Sequence, residues 1–465
     1  MKKRACKLLI IGGGPGGYVA GIRAGQLGLD AILVEESRLG GTCLIRGCIP
    51  SKALIHVASE VEAMRSAVGK GRHGISLKTA PEFDLAEAVR WKESIVDKLN
   101  GGVTQLLKRA KTEVIAGRAR FTDAKTCIVQ TSDGEIEIAA ENVLLATGSL
   151  PAELPFLKFG GDVIASTEAL SLSHVPKRIA IVGAGYIGLE LGIAFRKMGA
   201  EVTIVEAEDR ILPLYDADLI APVRKWLERN GVKVFVGAKA KGNKAGALLA
   251  VSADGKDMEV PADKILVTVG RRPNTENWGL ENMAVDMDGR FVKVDAQCQT
   301  SMRGVFAIGD LVGEPMLEHK AAKQGEMVAE IIAGARRAFD PVAIAAVCFT
   351  EPEIVSAGLS PDEAKAAGHE ILVGQFPLSA NGRALSMEAG GDGGFVRVVA
   401  RKADHLILGA QAVGAHVSEL SGEFALALEM RARLEDVAGT IHVHPTLSEA
   451  FHEAALRALG HAIHI

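Results

Sequence analysis

Two thiols separated by four residues, Cys43 and Cys48, lie in Gly40-Gly41-Thr42-Cys43-Leu44-Ile45-Arg46-Gly47-Cys48-Ile49-Pro50-Ser51-Lys52, just past a glycine-rich turn. A thiol pair beside a nucleotide-binding turn suggests a catalytic disulfide, because thiols cycle between dithiol and disulfide by exchange and can pass electrons to a held cofactor. On a regular helix the two Cα atoms would stand roughly 8 to 9 Å apart, beyond the roughly 7 Å that a disulfide spans. The segment must therefore be distorted if the two bond. Gly47 permits the distortion, and Pro50 suits an early helix position, which leaves Cys48 near a helix N-terminus. Lys52 follows one turn on, so dipole and ammonium both favour a thiolate at Cys48. Buried structural cysteines and half of a zinc site are the competing readings. A four-ligand zinc site normally needs a second pair, and Cys6, Cys127, Cys298 and Cys348 are scattered.

A second reactive cluster closes the chain: His442-Val443-His444-Pro445-Thr446-Leu447-Ser448-Glu449. Thr446 and Glu449 have the spacing of a capping box ahead of a helix whose Leu447, Phe451, Ala455 and Leu459 share one face. The Glu449 carboxylate could also orient His444. A histidine near a dithiol supplies the base, titrating near neutral pH, that thiol exchange requires. A metal pair at His442 and His444, or plain packing, fits the local pattern equally well.

These groups need a scaffold, and the chain carries one unit twice. The apolar run Lys7 to Ile11 is a buried strand, followed by Gly12-Gly13-Gly14-Pro15-Gly16-Gly17, a helix through Leu27, and a strand Ala31 to Val34 that ends at Glu35. The unit returns as strand Arg178 to Val182, Gly183-Ala184-Gly185-Tyr186-Ile187-Gly188, a helix through Met198, and strand Glu201 to Val205 ending at Glu206. In each copy the pyrophosphate of a dinucleotide would rest on the helix N-terminus, with the acid taking the ribose hydroxyls. The first glycine and the acid are 23 residues apart in both copies. One such turn is weak evidence; two complete copies imply two dinucleotides, as electron transfer between them requires. A carboxylate at Glu206 favours NAD over NADP, against the weak counter-signal of Arg210. Tyr186 reads equally as a movable lid over a cofactor face or as a packed core tyrosine.

Further strands end at Ala146-Thr147-Gly148, at Gly270 before Arg271-Arg272-Pro273-Asn274, and at Gly309-Asp310. Asp310 stands where a strand meets a loop, a place suited to a ribityl or ribose hydroxyl and equally to a turn or helix-cap aspartate. From about Pro341 short alternating strands, such as Gly394 to Ala400 and His405 to Val413, mix with helices and read as a separate α+β domain.

Composition agrees with a large globular protein of two to four domains: 465 residues, 48% hydrophobic and 24% charged. With 53 basic and 57 acidic residues, the net charge of −4 gives no reason to expect a nucleic-acid or membrane surface. Lys2-Lys3-Arg4 before Leu8 to Ile11 superficially imitates a signal peptide, but the apolar run is too short. Six cysteines in this length do not suggest a secreted disulfide framework, and a reducing, cytoplasmic compartment is expected.

Together these motifs, in this order, resemble the flavin disulfide oxidoreductases over essentially the whole chain. Glu206 and Met316-Leu317-Glu318-His319-Lys320 are similar to the branch of that family that oxidises dihydrolipoamide, and Ala345 to Thr350 with the end Ala458 to Ile465 resemble forms serving branched-chain 2-oxoacid dehydrogenase complexes. The resemblance implies an α/β fold of two Rossmann-like domains and a C-terminal α+β dimerisation domain. It divides the chain into an FAD-binding domain (1–150), an NAD-binding domain (151–270), a central segment completing the FAD site (271–340) and the dimerisation domain (341–465). It implies FAD at Gly12, Gly14, Gly17, Glu35, Lys52, Ala146, Thr147, Gly148, Asp310, Met316, Leu317 and His319. NAD, or the flavin face turned to it, is implied at Gly183, Gly185, Gly188, Glu190, Glu206 and Gly270.

Cys43 would be attacked by substrate and Cys48 would adjoin the flavin, with Lys52 and Glu190 paired near it. His444 and Glu449 would reach the site from the partner subunit of a homodimer. The expected partner is the lipoyl-bearing acyltransferase of a 2-oxoacid dehydrogenase complex. The chain departs from the family at Ile45 and Arg46, where asparagine and a small aliphatic residue are usual, and at Glu318, usually alanine. These changes are expected to put a positive charge near the disulfide and an acid near the flavin.

Overall fold

The computed structural model describes residues 2–69, 71–391 and 393–465. Leu8, Leu9, Ile10 and Ile11 are at most 5% exposed, so the first strand is apolar on both faces, as a central strand of a covered parallel sheet must be. That strand, β1, runs over Lys2–Ile11 and pairs in parallel with β2 (Ala31–Glu35) on one side and β3 (Gly134–Leu145) on the other. It starts five residues before the predicted Lys7. Lys2 to Cys6 pair with Ile136 to Ala140, and this extension is largely solvent-facing, so no apolar run announces it. Val305–Ala307 returns to the same sheet beside β3. Helix α1 (Pro15–Gln26) follows the glycine turn.

Between β2 and the rest of the sheet lie two consecutive helices, α2 (Gly41–Arg46) and α3 (Cys48–Ser66). The second unit repeats the first: β4 (Arg178–Val182), α4 (Tyr186–Met198) and β5 (Glu201–Val205), in a five-stranded sheet with Lys264–Val267 beside β4. Helix α5 (Glu318–Ile332) packs back onto α1. The C-terminal region is a five-stranded antiparallel sheet in the order 346–348, 353–358, 407–414, 395–401, 371–377, covered by α6 (Glu449–Ala458). Phe451 and Ala455 are fully buried there, with Leu447 and Leu459 packed at the margin, as the helical period predicts.

Two buried cations tie the layers together. Lys197 on α4 reaches Glu62 on α3 at 3.1 Å and Glu351 beside the C-terminal sheet at 2.6 Å. Arg397, 2% exposed on the C-terminal sheet, donates to Asp216 at 2.9 Å and Asp218 at 3.4 Å next to the second unit. Loss of one member would leave a buried charge without its partner, a cost of about 3–5 kcal/mol. Among the described residues no helix is long and apolar enough to cross a membrane, and no three His, Cys, Asp or Glu side chains gather as a metal site would.

Candidate active site

The thiol segment breaks at Gly47, whose φ of −145° and ψ of −106° end α2 and start α3. A side chain there would lie 2.8 Å from the Thr42 carbonyl oxygen. This is the distortion that a bond between Cys43 and Cys48 demands. Both residues have free thiols, and Cys48, the first residue of α3, opens to a deep cleft that Cys43 also lines. Their hydrogen bond raises the Cys43 pKa and lowers that of Cys48. Burial opposes the second shift, Lys52 assists it, and Glu318 works against a thiolate on either sulfur. The result is a pair with one thiol held protonated and its neighbour biased toward thiolate.

Lys52 donates to Glu190 at 2.9 Å, and its ammonium lies 4.4 Å above the Phe349 ring. Glu190, only 4% exposed, also accepts from the Phe349 N–H at 2.9 Å. Because Glu190 sits on α4 and Lys52 on α3, this ion pair joins the second unit to the thiol helix. Tyr186 opens α4 and lines the same cleft at 40% exposure, so it is not a packed core residue.

The cleft continues past Gly12, Gly14, Glu35, Ala146, Thr147 and Gly148 to Asp310 and Met316. Glu35 accepts from Gly13 N–H at 2.6 Å, and from the N–H and hydroxyl of Ser37 at 2.8 and 2.9 Å. Asp310 is the second residue of a 3-10 turn, so it caps no α-helix; its carboxylate accepts from the Ser149 hydroxyl, which Arg271 in turn holds at 2.7 Å. Arg271, Ser149, Thr42 and Asn274 line the cleft without having been anticipated as site residues. The run Arg271 to Asn274 after a strand-ending glycine was the available signal.

Several expected cofactor residues lie elsewhere. Gly17 is buried behind the turn, and Leu317 and His319 are not among the cleft-lining residues. Leu317 instead precedes α5, and His319 Nε2 lies 2.9 Å from the Ala345 carbonyl oxygen. Gly183, Gly185 and Gly188 form the second turn, where Glu206 accepts from Ala184 N–H at 2.5 Å and from Glu208 N–H at 2.8 Å. Gly270 is bent to φ +112° near that unit, also outside the first cleft. Arg210 is turned to the Pro213 carbonyl at 2.7 Å.

The first cleft fits an extended dinucleotide carrying a flat ring system. The Cβ that Gly14 lacks would meet nothing closer than Gly41 Cα at 3.8 Å, and one on Gly148 would meet no atom within 4 Å. Both glycines thus present bare backbone to open space. Glu35, the thiols, Lys52 and Tyr186 all line the same cleft.

His444 and Glu449 do not line this cleft. The His444 side chain is 79% exposed, with Nδ1 2.9 Å from the Glu449 carboxylate. Burial disfavours the Glu449 carboxylate, but the Thr446 N–H at 2.8 Å and His444 together hold its pKa below the usual value. The predicted capping box is only half formed. Ser448, not Thr446, precedes the helix, and the Thr446 hydroxyl donates to the Val443 carbonyl at 2.6 Å.

The two departures in the thiol loop have different surroundings. Ile45 packs into the apolar cluster beneath the first sheet. Arg46 lines the same cleft as the thiols and donates to the Ser37 hydroxyl at 3.0 Å. Helix α2 ends at Arg46, and its side chain follows the open cleft.

A family model described as pyridine nucleotide-disulphide oxidoreductase matches residues 6–325, and the dimerisation-domain model of the same family matches residues 344–455. The chain is 57% identical over 459 residues to a dihydrolipoyl dehydrogenase of Pseudomonas aeruginosa, with 98% of each covered. It is 44% identical over 461 residues to the dihydrolipoyl dehydrogenase of Geobacillus stearothermophilus, covering 98% of this chain and 97% of the relative. The crystal structure of LpdA from Mycobacterium tuberculosis superposes with a TM-score of 0.88 at 27% identity, covering 98% of this chain and 99% of that one.

Proposed function

From the premise that this chain belongs to the pyridine nucleotide-disulphide oxidoreductase family, we propose that its cleft oxidises a dihydrolipoyl dithiol to the cyclic disulfide, using Cys43 and Cys48 as the exchanging pair. The enzyme is an FAD-dependent, NAD-linked oxidoreductase. The observation that carries the reading is the thiol pair itself: a helix broken at Gly47, one thiol hydrogen-bonded to the other, and Cys48 open to the cleft.

In the proposed cycle, a proton leaves the substrate dithiol for His444, held in place by Glu449. The substrate thiolate attacks Cys43 sulfur, the Cys43–Cys48 bond breaks, and Cys48 departs as a thiolate that Lys52 stabilises. The second substrate thiol then attacks the mixed disulfide, releasing oxidised lipoyl product and leaving the enzyme pair reduced. FAD bound in the cleft would supply the two-electron relay between the Cys43/Cys48 dithiol and NAD+ that lets the disulfide re-form. Glu35 and Asp310 would hold the hydroxyls of FAD, Lys52 and Glu190 would flank its ring, and Glu206 would take the ribose of NAD. Tyr186, at the boundary between the two units, would screen the ring from water until NAD arrives.

The exposure of His444 and its distance along the fold from its own cleft support a homodimer in which each cleft receives His444 from the other copy. The acyl-carrying partner would be the lipoyl-bearing acyltransferase of a 2-oxoacid dehydrogenase complex, in the cytoplasm. An anaerobic NADH titration of the yellow protein tests the scheme, followed by turnover with dihydrolipoamide and NAD+ beside glutathione disulfide and NADPH. We expect flavin reduction and activity in the first assay; no flavin spectrum, or turnover only in the second, would refute it.

A further inference from the structure

Arg46 is the one residue of the thiol loop that the cycle above leaves without work. Its Nη2 is engaged by the Ser37 hydroxyl at 3.0 Å, and Ser37 in turn donates to Glu35 at 2.9 Å. Its Nε is buried and has no hydrogen-bond partner. An orphaned guanidinium N–H costs free energy unless something arrives to accept from it, and a charge-assisted acceptor would be favoured. Arg46 lines the cleft together with Gly12, Gly14 and Ser37.

Other cations there are already spoken for. Lys52 is paired with Glu190, Arg271 donates to the Ser149 hydroxyl and carbonyl oxygens, each at 2.7 Å, and Arg118, also on the cleft lining, is exposed and lies 3.9 Å from Glu36. The glycine turn contributes backbone N–H groups but no charge, and Arg46 alone among the cleft's cations holds a buried N–H without an acceptor among the described residues.

We infer that Arg46 is a clamp for the diphosphate of the bound dinucleotide: its free N–H and positive charge serve the anion, while its contact with Ser37 holds the guanidinium at the correct end of the cleft. This rests on the reading of the cleft as the FAD site. It assigns Arg46 to cofactor retention rather than to the poise of the thiols. Ser37 becomes the positioning residue, linking the clamp to the acid that takes the ribose.

The test is the rate at which the purified holoenzyme releases FAD on dilution, followed by the rise in free-flavin fluorescence at low and high salt. Arg46→Met should speed release by about tenfold or more, as loss of one charge-assisted hydrogen bond does. Arg46→Lys, which keeps the charge, should fall between. Release from the unaltered enzyme should accelerate with salt, and the salt dependence should flatten in Arg46→Met, which loss of a merely structural strut would not do. Ser37→Ala should change the rate less than Arg46→Met.

An unchanged release rate in Arg46→Met, or an effect of Ser37→Ala as large with no loss of salt dependence in Arg46→Met, would overturn the inference. So would a shift in the thiolate titration of the reduced Arg46→Met enzyme with FAD retained normally, because Arg46 would then act on the sulfurs. A colourless unaltered protein would instead overturn the reading of the cleft on which the inference stands.

Discussion

In both dinucleotide units the acid at the end of the second strand accepts two backbone N–H groups: Glu35 from Gly13 and Ser37, Glu206 from Ala184 and Glu208. The first glycine of each turn donates its N–H to the same register position, Gly12 to the Val34 carbonyl and Gly183 to the Val205 carbonyl, both at 2.9 Å. The units part company one residue into the helix. Where the first has Pro15-Gly16, the second has Tyr186-Ile187. A Cβ on Gly16 would lie 2.7 Å from Ile308 Cδ1 and 3.0 Å from the Ala321 carbonyl of α5, whereas Ile187 at the matching position of the second unit packs, partly buried, against the apolar cluster around α4. The first unit is thus built to be covered by α5, enclosing its ligand. The second keeps a large side chain at the mouth, and that side chain, Tyr186, faces the cleft of the first. Under the proposed function, one unit would retain a cofactor and the other would exchange one.

The strongest challenge to this contrast is to close each turn. A Cβ at Gly17 would fall 1.8 Å from the Gly12 carbonyl oxygen, and one at Gly188 would fall 2.2 Å from that of Gly183. Backbone on both sides cannot yield cheaply, so each alanine variant should lose about 1–3 kcal/mol or more. Gly17→Ala should emerge without flavin colour. Gly188→Ala should stay yellow, accept electrons from dihydrolipoamide, and fail to pass them to NAD+. Equal loss of flavin in both variants would erase the distinction.

A smaller effect separates the two acids. Replacing Glu206 by alanine removes a carboxylate from the ribose and leaves the Ala184 N–H unsatisfied, so KM for NAD+ should rise about tenfold or more. Steady-state kinetics would check it, with flavin content unchanged.

The joint between the units offers the mildest probe. The Cys48 thiol is biased below its ordinary pKa of 9.0, first by the Cys43 hydrogen bond and then by Lys52. In the reduced enzyme the thiolate therefore persists below pH 9.0 and is lost as pH falls through the lowered value. Lys52→Met should raise that titration point by about one unit, the lower end of what a nearby opposite charge contributes. Thiolate absorbance of the reduced enzyme against pH provides the reading; an unmoved midpoint would detach Lys52 from the sulfurs.

Much of this was legible in the chain because short-range chemistry specifies it. The paired turns, their acids at a common spacing and the need for a break between Cys43 and Cys48 all follow from backbone geometry acting over a few residues. What escaped depends on contacts between distant segments. Arg46 was expected to bring a charge near the disulfide, but its hydrogen bond to Ser37, nine residues back, had no signature in the chain. Arg271 holds Ser149 across 122 positions, a partnership without a local signature. The capping box failed for the opposite reason. Glu449 still accepts from the Thr446 N–H, but the Thr446 hydroxyl turns back to the neighbouring Val443 carbonyl, and the helix starts one residue after Ser448.

The placement of His444 on the outside of its own chain has a consequence for inheritance. If each competent centre takes thiols from one copy and the base from another, two inactive alleles, one lacking Cys48 and one lacking His444, are not equivalent defects. Expressed together, their products would form mixed dimers in which one centre carries both lesions and its twin carries none. Random pairing of equal amounts would then restore about a quarter of the full complement of working centres. Alleles with lesions on the same side of that divide would restore nothing.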